Sequence, residues 1–478
     1  MQLGVVRNII PSRQLSVHLS RWIGTQRFIW NAKCEENNYF FRFKNRFPEG
    51  VGVQTVDQAY AQFKSDELTP WLKDIPSQII RNGSVRWHSA MQSFFKRQVK
   101  GIPKTKKKAK SKLNCLVTSE LFRFKQASGT NWILEFGTEA NPLGTVKVYE
   151  LPLGFVPPAQ IWVKQKKSGG FAISFSQEDG VAFVSNEEWT ERLSNYSEQE
   201  LEKLTLGGDP GVVLPLISSN GKPYGIDAKA TARAKLRDFR KKKHQRKLAR
   251  QVKGSNRRGK TKKAIARLCE KDANVRDYKA HCISKEAVLD APLIIAVEDT
   301  KIANMTRRPK PKLNEETGKY EKNGRAAKAG LNKALLNVSI GKIKTYIAYK
   351  AEKYGKIAIA TRAFASSIKC SSCECKAPLE ELKKNRTTQE NFTCLNCGHS
   401  ENADINAAKN HRREAIRQIK SGEIHFLSPV RSRGSGRGES NKTPGSMNLT
   451  HNSKKVPDES PKPRKRQPSS YVPLGTTV

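Results

Sequence analysis

Acidic residues are scarce in this 478-residue chain. Asp and Glu number 44 against 88 Lys and Arg, a formal net charge of +44. An excess that large repels itself across a folded surface, and a polyanion would relieve it. Nucleic acid is the leading partner class, because basic side chains gain affinity by releasing phosphate counterions. Long apolar runs are missing as well. The longest, near Leu293–Val297, falls far short of the ~20 residues that cross a bilayer, so no membrane span is expected. The opening MQLGVVRNIIPSRQLSVHLS holds no continuous apolar core, and no secretory leader is expected. Cysteine is sparse and odd in number: nine, with five crowded into 370–397. That is not a secreted disulfide framework. It predicts a reducing compartment and a local metal site.

At about 150 residues per domain the length predicts about three compact units. Residues 1–15 read as a strand and a turn. Residues 16–110 carry apolar residues at helical spacing with many aromatics, among them Trp22, Phe28, Trp30, Trp71 and Trp87. Most of these rings are expected in a helical core, and some are expected to stack on bases. Lys104, Lys106, Lys107, Lys108 and Lys110 close this segment as a basic linker facing phosphate. From 113 to 185 the pattern alternates, with β-branched and aromatic residues between Gly and Pro, which predicts a small antiparallel sheet or barrel. Residues 186–202 read as an acidic connector, and 203–365 as α/β. Within the latter, a long helical stretch is expected over 229–289, with a basic first half that suits phosphate contact. Residues 306–330 read as mobile, 331–354 as a helix and 421–478 as a disordered tail.

Two constellations carry chemistry. Cys370-x-x-Cys373 and Cys394-x-x-Cys397 form two knuckles with 20 residues between them. Four thiolates so spaced suit one tetrahedral Zn²⁺ with no open position, a structural site. Cys375 fits that spacing less well, and His399 is not expected to be a ligand. The second constellation is acidic. Asp209 lies just inside an apolar strand, in Leu206-Gly-Gly-Asp-Pro-Gly211, Glu298 ends another (Leu293-Ile-Ile-Ala-Val297), and Asp404 opens a helix just past the knuckles. Carboxylates in such places can share two Mg²⁺ ions, although sequence separation alone does not bring them together.

These residues resemble the motifs of TnpB, the transposon-encoded RNA-guided DNA endonuclease family related to type V CRISPR effectors. Gly208-Asp-Pro-Gly-Val212 resembles its first RuvC motif, Val297-Glu-Asp-Thr-Lys-Ile302 the second, and Asn402-Ala-Asp-Ile-Asn-Ala-Ala-Lys-Asn410 the third. The Cys knuckles fall where the family carries a zinc ribbon. Asn274-Val-Arg-Asp277 with His281, Gln26-Arg-Phe-Ile-Trp-Asn31 and Ile75-Pro-Ser-Gln78 add further matches over roughly residues 1–420. Cys375 beside the first knuckle and the two glycines before Asp209 depart from the commonest pattern.

The resemblance implies a multidomain α+β protein. It implies a β-barrel wedge domain over 1–15 and 113–185 and a helical recognition domain over 16–112. An RNase H-like RuvC nuclease domain would span 203–365 and 403–420, with a zinc ribbon at 366–402 and a disordered tail at 421–478. Asp209, Glu298 and Asp404 become the catalytic acids and Mg²⁺ ligands, and Cys370, Cys373, Cys394 and Cys397 the Zn²⁺ ligands. The implied activity is RNA-guided cutting of DNA beside a short flanking motif by two-metal hydrolysis. The implied partners are a guide RNA transcribed from the transposon end, one protein per guide, and double-stranded target DNA, in a prokaryotic cytoplasm at the nucleoid. Rival readings are a miniature type V CRISPR effector, a non-cleaving RNA-guided repressor, and an RNA-binding zinc-ribbon packing protein. A DNA-joining transposase is disfavoured, since no HUH-type histidine pair lies near a nucleophilic Tyr.

Overall fold

The alternating N-terminal segments form strands and the period-3.6 segments form helices. In the computed structural model, the described residues are 2–427, apart from 44, 45, 47–55, 153, 179, 183, 226, 227, 300, 301, 316, 363, 364 and 387. β1 (Gln2–Ile9) leads into α1 (Arg13–Phe43), and α2 (Ser77–Phe95) packs beside it. Six strands follow: β2 (Asn114–Thr118), β3 (Phe122–Ser128), β4 (Asn131–Gly137), β5 (Pro142–Val148), β6 (Gln160–Gln165) and β7 (Phe171–Glu178). They make two antiparallel ladders, β1-β7-β6-β2 and β3-β4-β5. The expected barrel is thus a pair of sheets rather than one closed ladder. A single 3₁₀ turn over Ser119–Leu121 carries the chain from β2 in one sheet to β3 in the other. Both sheets share one core with α1 and α2, built from Leu15, Leu19, Trp22, Ile79, Leu134, Phe136 and Ile161.

Polar residues also fix this region. Gln26 on α1 is buried and acts as a substitute strand for the edge of β2. Its Nε2 donates to the Leu116 carbonyl at 2.7 Å, and its Oε1 accepts from Leu116 N–H at 2.9 Å. Asn31 holds the basic linker in the same way, accepting from Lys106 N–H at 2.7 Å and donating to the Lys106 carbonyl at 3.2 Å. Trp30 donates to the Lys104 carbonyl at 3.0 Å. The linker is therefore stitched to α1, and Lys106 lies over the Trp30 ring rather than standing free for phosphate.

The acidic connector is two short docked helices, α3 (Asn186–Ser194) and α4 (Glu198–Leu204). Ser185 and Ser197 cap them, Glu residues fill both first turns where the helix dipole favours them, and Leu193 and Leu201 are buried. A five-stranded sheet follows. Its strands are β8 (Thr205–Asp209), β9 (Leu216–Ser218) and β10 (Pro223–Tyr224), then, after α5 (Ala228–Arg250) and α6 (Asn256–Asp290), β11 (Ile294–Glu298). Past α7 (Ile302–Met305), the small hairpin of β12 (Lys312–Leu313) and β13 (Tyr320–Glu321), α8 (Arg325–Val338) and α9 (Ile340–Lys353), the chain adds β14 (Ile357–Thr361). The strand order is β10-β9-β8-β11-β14; β8, β11 and β14 run parallel, and the first three strands pair antiparallel. Helices cover both faces, as near-continuous apolar strands require. Ala280, Ile283 and Ala287 of α6 and Ile343 and Ile347 of α9 pack on one face. Leu193, Leu201 and three residues of α11 (Ala403–Ser421) pack on the other.

Before α11 come the two Cys knuckles, with α10 (Leu379–Lys384) between them and the short ladder of β15 (Asn391–Thr393) and β16 (Ser400–Asn402) around the second. Three sequence boundaries shift. The helix expected over 229–289 is two helices, broken near Gly254, whose φ is +92°. The helix expected over 331–354 begins earlier and is two helices that meet at Ser339, φ +63°. The tail expected from 421 starts later: after Gly422 closes α11, the Ala360 N–H donates to the His425 carbonyl at 2.7 Å and Leu427 N–H to the Ala358 carbonyl at 2.9 Å. Residues 428–478 lie outside the described residues. No helix of the described residues is long and apolar enough to cross a membrane.

Candidate metal centres at the strand ends and the cysteine knuckles

The parallel pairing sets the first centre. Val297 on β11 lies opposite Gly208 on β8, so Glu298 and Asp209 end neighbouring strands at the same level. Glu298 also lies opposite Thr361, the last residue of β14. Three adjacent strands thus end in a row of Asp209, Glu298 and Thr361, at the carboxyl edge where open parallel sheets place their sites.

Helix α11 crosses this row, and Gly207 is why it comes so close. A Cβ added at Gly207 would stand 1.9 Å from the Ala408 carbonyl oxygen and 2.9 Å from Arg412 N. Buried Ala407 and Ala408 present little bulk on the helix side. Asn402 caps the helix, accepting from Asp404 N–H at 2.9 Å, and this fixes Asp404 in the first turn. Burial raises the Asp404 carboxyl above its ordinary value. The Asp209 charge adds to that rise, and Arg386, 3.9 Å away, opposes it. A carboxyl whose charge is disfavoured by burial and by a neighbouring carboxylate is a setting a cation would relieve.

The structure therefore brings Asp209 and Glu298 together and sets Asp404 within electrostatic reach of Asp209. The third member of the tight cluster is different. Ligand atoms of Asp209, Glu298 and His411 all lie within 4.8 Å of one another, and Asp404 is not in that group. His411, on α11, is buried; its Nδ1 is 2.8 Å from Thr361 Oγ1 and its Nε2 is 3.5 Å from Asp209 Oδ1. Sequence reading missed His411 and Thr361. The signal was present in one of them: His411 follows Asp404 by seven residues, about two helical turns, which returns to the same face.

The second centre is local. Sγ of Cys370, Cys373, Cys394 and Cys397 cluster within the same 4.8 Å limit. Cys370 lies 3.7 Å from Cys397, and Cys373 lies 3.7 Å from Cys394. Four sulfurs at about 2.3 Å from one Zn²⁺ in a tetrahedron would be about 3.8 Å apart, so the thiols suit zinc. Backbone geometry supports thiolate. The N–H of Ser372 reaches Cys370 Sγ at 3.3 Å. The Cys375 backbone N–H, with help from Asn396, pulls the Cys373 thiol down to about 6. Gly398 takes φ +73° and bonds back to the Cys394 carbonyl at 2.9 Å, closing the second knuckle. His399 turns to Glu401 at 2.9 Å instead. Cys375 is outside the four-sulfur group.

The two centres are tied together. Asn406 on α11 is fully buried; its Oδ1 accepts from Ser371 N–H at 2.9 Å and its Nδ2 donates to the Lys369 carbonyl at 2.7 Å. Asn410 donates to the Ser366 and Lys369 carbonyls at 2.8 and 2.9 Å. The first knuckle is thereby fastened to the helix that carries Asp404 and His411.

Around these centres the charge is unevenly spent. On α5, Arg237 pairs with Asp272 at 2.5 Å and Lys241 with Asp238 at 2.9 Å, and the Asp238 carboxyl drops to about 2 beside Lys241 and Lys333. Arg240, Lys243, Arg246, Lys247 and Arg250 stay exposed, and no described residue of α5 is buried. Among the N-terminal aromatics, Trp22 and Trp87 are core, while Tyr39, Phe41 and Phe95 are exposed.

A mixed α/β fold with a strand-end acid cluster and a zinc-suited thiol cluster now stands beside known proteins. Residues 341–411, which run from α9 through the knuckles to His411, match the family model of the Cas12f1-like TNB domain. The chain is 25% identical over 409 residues to the Escherichia coli (strain K12) protein named "Putative RNA-guided DNA endonuclease InsQ", covering 84% of this chain and 89% of that one. It is 23% identical over 405 residues to a Streptomyces pristinaespiralis protein named "Putative RNA-guided DNA endonuclease", covering 84% and 86%. A cryo-EM structure of a Cas12f1–sgRNA–target DNA complex aligns with TM-score 0.46 and 12% identity over 84% of this chain and 83% of that chain. The family model and the two named relatives bear out the resemblance to TnpB drawn from the motifs.

Proposed function

We propose that this protein is an RNA-guided DNA endonuclease that cuts through a RuvC-type site. The observation that carries this is the meeting of Asp209 and Glu298 at adjacent strand ends, with Asp404 set within electrostatic reach of Asp209 by α11. The strand order supports an RNase H-like reading of 203–365 with 403–420, and the knuckles support a zinc ribbon at 366–402 inserted into it. The N-terminal sheets and helices would be the wedge and recognition domains, at 1–15 with 113–185 and at 16–112.

Asp209, Glu298 and Asp404 would hold two Mg²⁺ ions, which would activate water and stabilise the leaving oxygen of a phosphodiester. Cys370, Cys373, Cys394 and Cys397 would hold structural Zn²⁺. The exposed basic side of α5 would lie along nucleic acid, since a helix with no buried residue among its described ones gains little from the core. Guide RNA from the transposon end would then choose the target by base pairing, one protein per guide, with the protein reading a short flanking motif.

The experiment is to express the chain with its native downstream DNA, sequence the RNA that co-purifies, and assay Mg²⁺-dependent cutting of the DNA that its variable segment matches. A single defined RNA and guided cutting are expected. Asp209→Ala should lower cutting on the order of 10³-fold or more while RNA-dependent DNA binding stays intact. A smear of unrelated RNA would sink the guided reading. Binding without cutting in the unaltered protein would leave a repressor.

A further inference from the structure

His411 is the one member of the strand-end cluster that no RuvC-type assignment above uses. It is 1% exposed, and its Nε2 has no hydrogen-bond partner. A histidine buried for packing alone would satisfy both ring nitrogens, since an unpaired buried polar group costs about 1–3 kcal/mol. Here only Nδ1 is satisfied, by Thr361 Oγ1 at 2.8 Å. Nε2 faces Asp209 Oδ1 at 3.5 Å, too long for a good hydrogen bond. Two donors bound near 2.1 Å to one octahedral cation lie about 3.0 Å apart when cis, so a closing of about 0.5 Å would bring Nε2 and Oδ1 onto one ion.

We propose that His411 is a nitrogen ligand of the divalent cation held by Asp209 and Glu298, and that Thr361 positions its ring. The proposal rests on the metal-site reading of Asp209 and Glu298 given above. Nδ1–H donates to Thr361 Oγ1, which leaves the Nε2 lone pair toward the carboxylates. Metal-bound imidazoles use their second nitrogen in this way, and the outer partner sets the tautomer. Thr361 suits that role because it lies opposite Glu298 in the β11–β14 register. One strand row thus supplies a carboxylate and the anchor of the imidazole.

An imidazole among oxygen donors has a chemical consequence. Mg²⁺ prefers oxygen and holds its waters, whereas imidazole suits first-row transition ions. His411 would therefore tilt this site from Mg²⁺ toward Mn²⁺ or Co²⁺, compared with a site of carboxylates alone.

The test uses the full, zinc-loaded chain with Mn²⁺ as the probe, read by pulsed electron paramagnetic resonance. The expected wild-type spectrum shows ¹⁴N coupling from a bound imidazole. His411→Gln should remove that coupling and weaken Mn²⁺ binding by roughly tenfold or more, with Mg²⁺ binding moved less. Thr361→Val, which frees the ring without deleting it, should alter the coupling and weaken Mn²⁺ on the order of tenfold, and decides the matter if the Gln variant does not fold. Mn²⁺ binding that depends on Asp209 but shows no nitrogen coupling would overturn the ligand role and leave the carboxylate site standing. Coupling that persists in His411→Gln would overturn it too. No Mn²⁺ binding at all would overturn both this inference and the metal-site reading beneath it.

Discussion

The two candidate metal centres are built by opposite strategies. The cysteine centre draws all four ligands from residues 370–397, two tight knuckles of one short segment. The strand-end centre draws on β8, β11 and α11, and its members Asp209 and His411 are 202 residues apart in sequence. The first can be read from spacing, because knuckle geometry is local. The second depends on parallel pairing, on a glycine that lets a helix approach, and on a cap that fixes the helix start. A local site survives small shifts of its neighbours, whereas a distributed one inherits every error in packing.

The largest expected effect attacks the distributed site alone. Gly207→Ala puts a methyl 1.9 Å from the Ala408 carbonyl, a backbone atom with nowhere to go, so α11 must move off β8. The cost should exceed about 4–5 kcal/mol, the exceptional end of single substitutions. The soluble fraction should keep one zinc per chain, measured by atomic emission, and lose cutting. Wild-type melting and wild-type cutting together would show that α11 does not need that contact.

Cys394→Ser reverses the attack. It removes one of four ligands and should release zinc, with a melting temperature lower by on the order of 10 °C. If zinc leaves and the melting temperature stays, the knuckles contribute nothing to the fold they are fastened to. Asn406→Ala then tests the fastening itself. It leaves the Ser371 N–H without its buried partner, at about 1–3 kcal/mol, while the Lys369 carbonyl keeps Asn410. Zinc content should hold while cutting falls, because the change loosens the helix that carries Asp404 and His411. Equal loss of zinc and cutting would mean that the two centres are one cooperative unit.

The same contrast explains what was legible beforehand. The four zinc-suited cysteines were visible because their pattern is local and rare. Asp209, Glu298 and Asp404 were visible as acids at element ends, yet only the register of β8 with β11 shows that two of them meet. His411 could be placed on the helix face of Asp404 by its spacing but not against Thr361 and Asp209, since a lone histidine on a helix carries no mark of the strand it faces. The α/β alternation of 203–365 was legible from strand-like apolar runs between helical stretches. The break at Ser339 was not, because a left-handed residue other than glycine leaves no trace in the pattern. Gln26 and Asn31 stood out only as motif residues, and their work, completing the edge of β2 and pinning the linker, depends on partners 75 to 90 positions away.

The linker gives the smallest and most specific test of that lesson. Lys106 belongs to a lysine run that local reading assigns to phosphate. Instead it is drawn in over Trp30, and burial, with Arg86 nearby, lowers its ammonium to about 7 from 10.5. The ring face favours the charge, but the loss of water outweighs it. Between about 7 and 10.5 the unfolded chain binds a proton here that the folded chain does not. Stability must therefore rise with pH through that window, and this part of the penalty is fully felt below about 7. Lys106→Met should abolish that slope, gaining on the wild type as pH falls from 10 toward 7 in denaturant melts. A difference between the two proteins that stays flat with pH would return Lys106 to the solvent and to the phosphate role that its neighbours in sequence suggest.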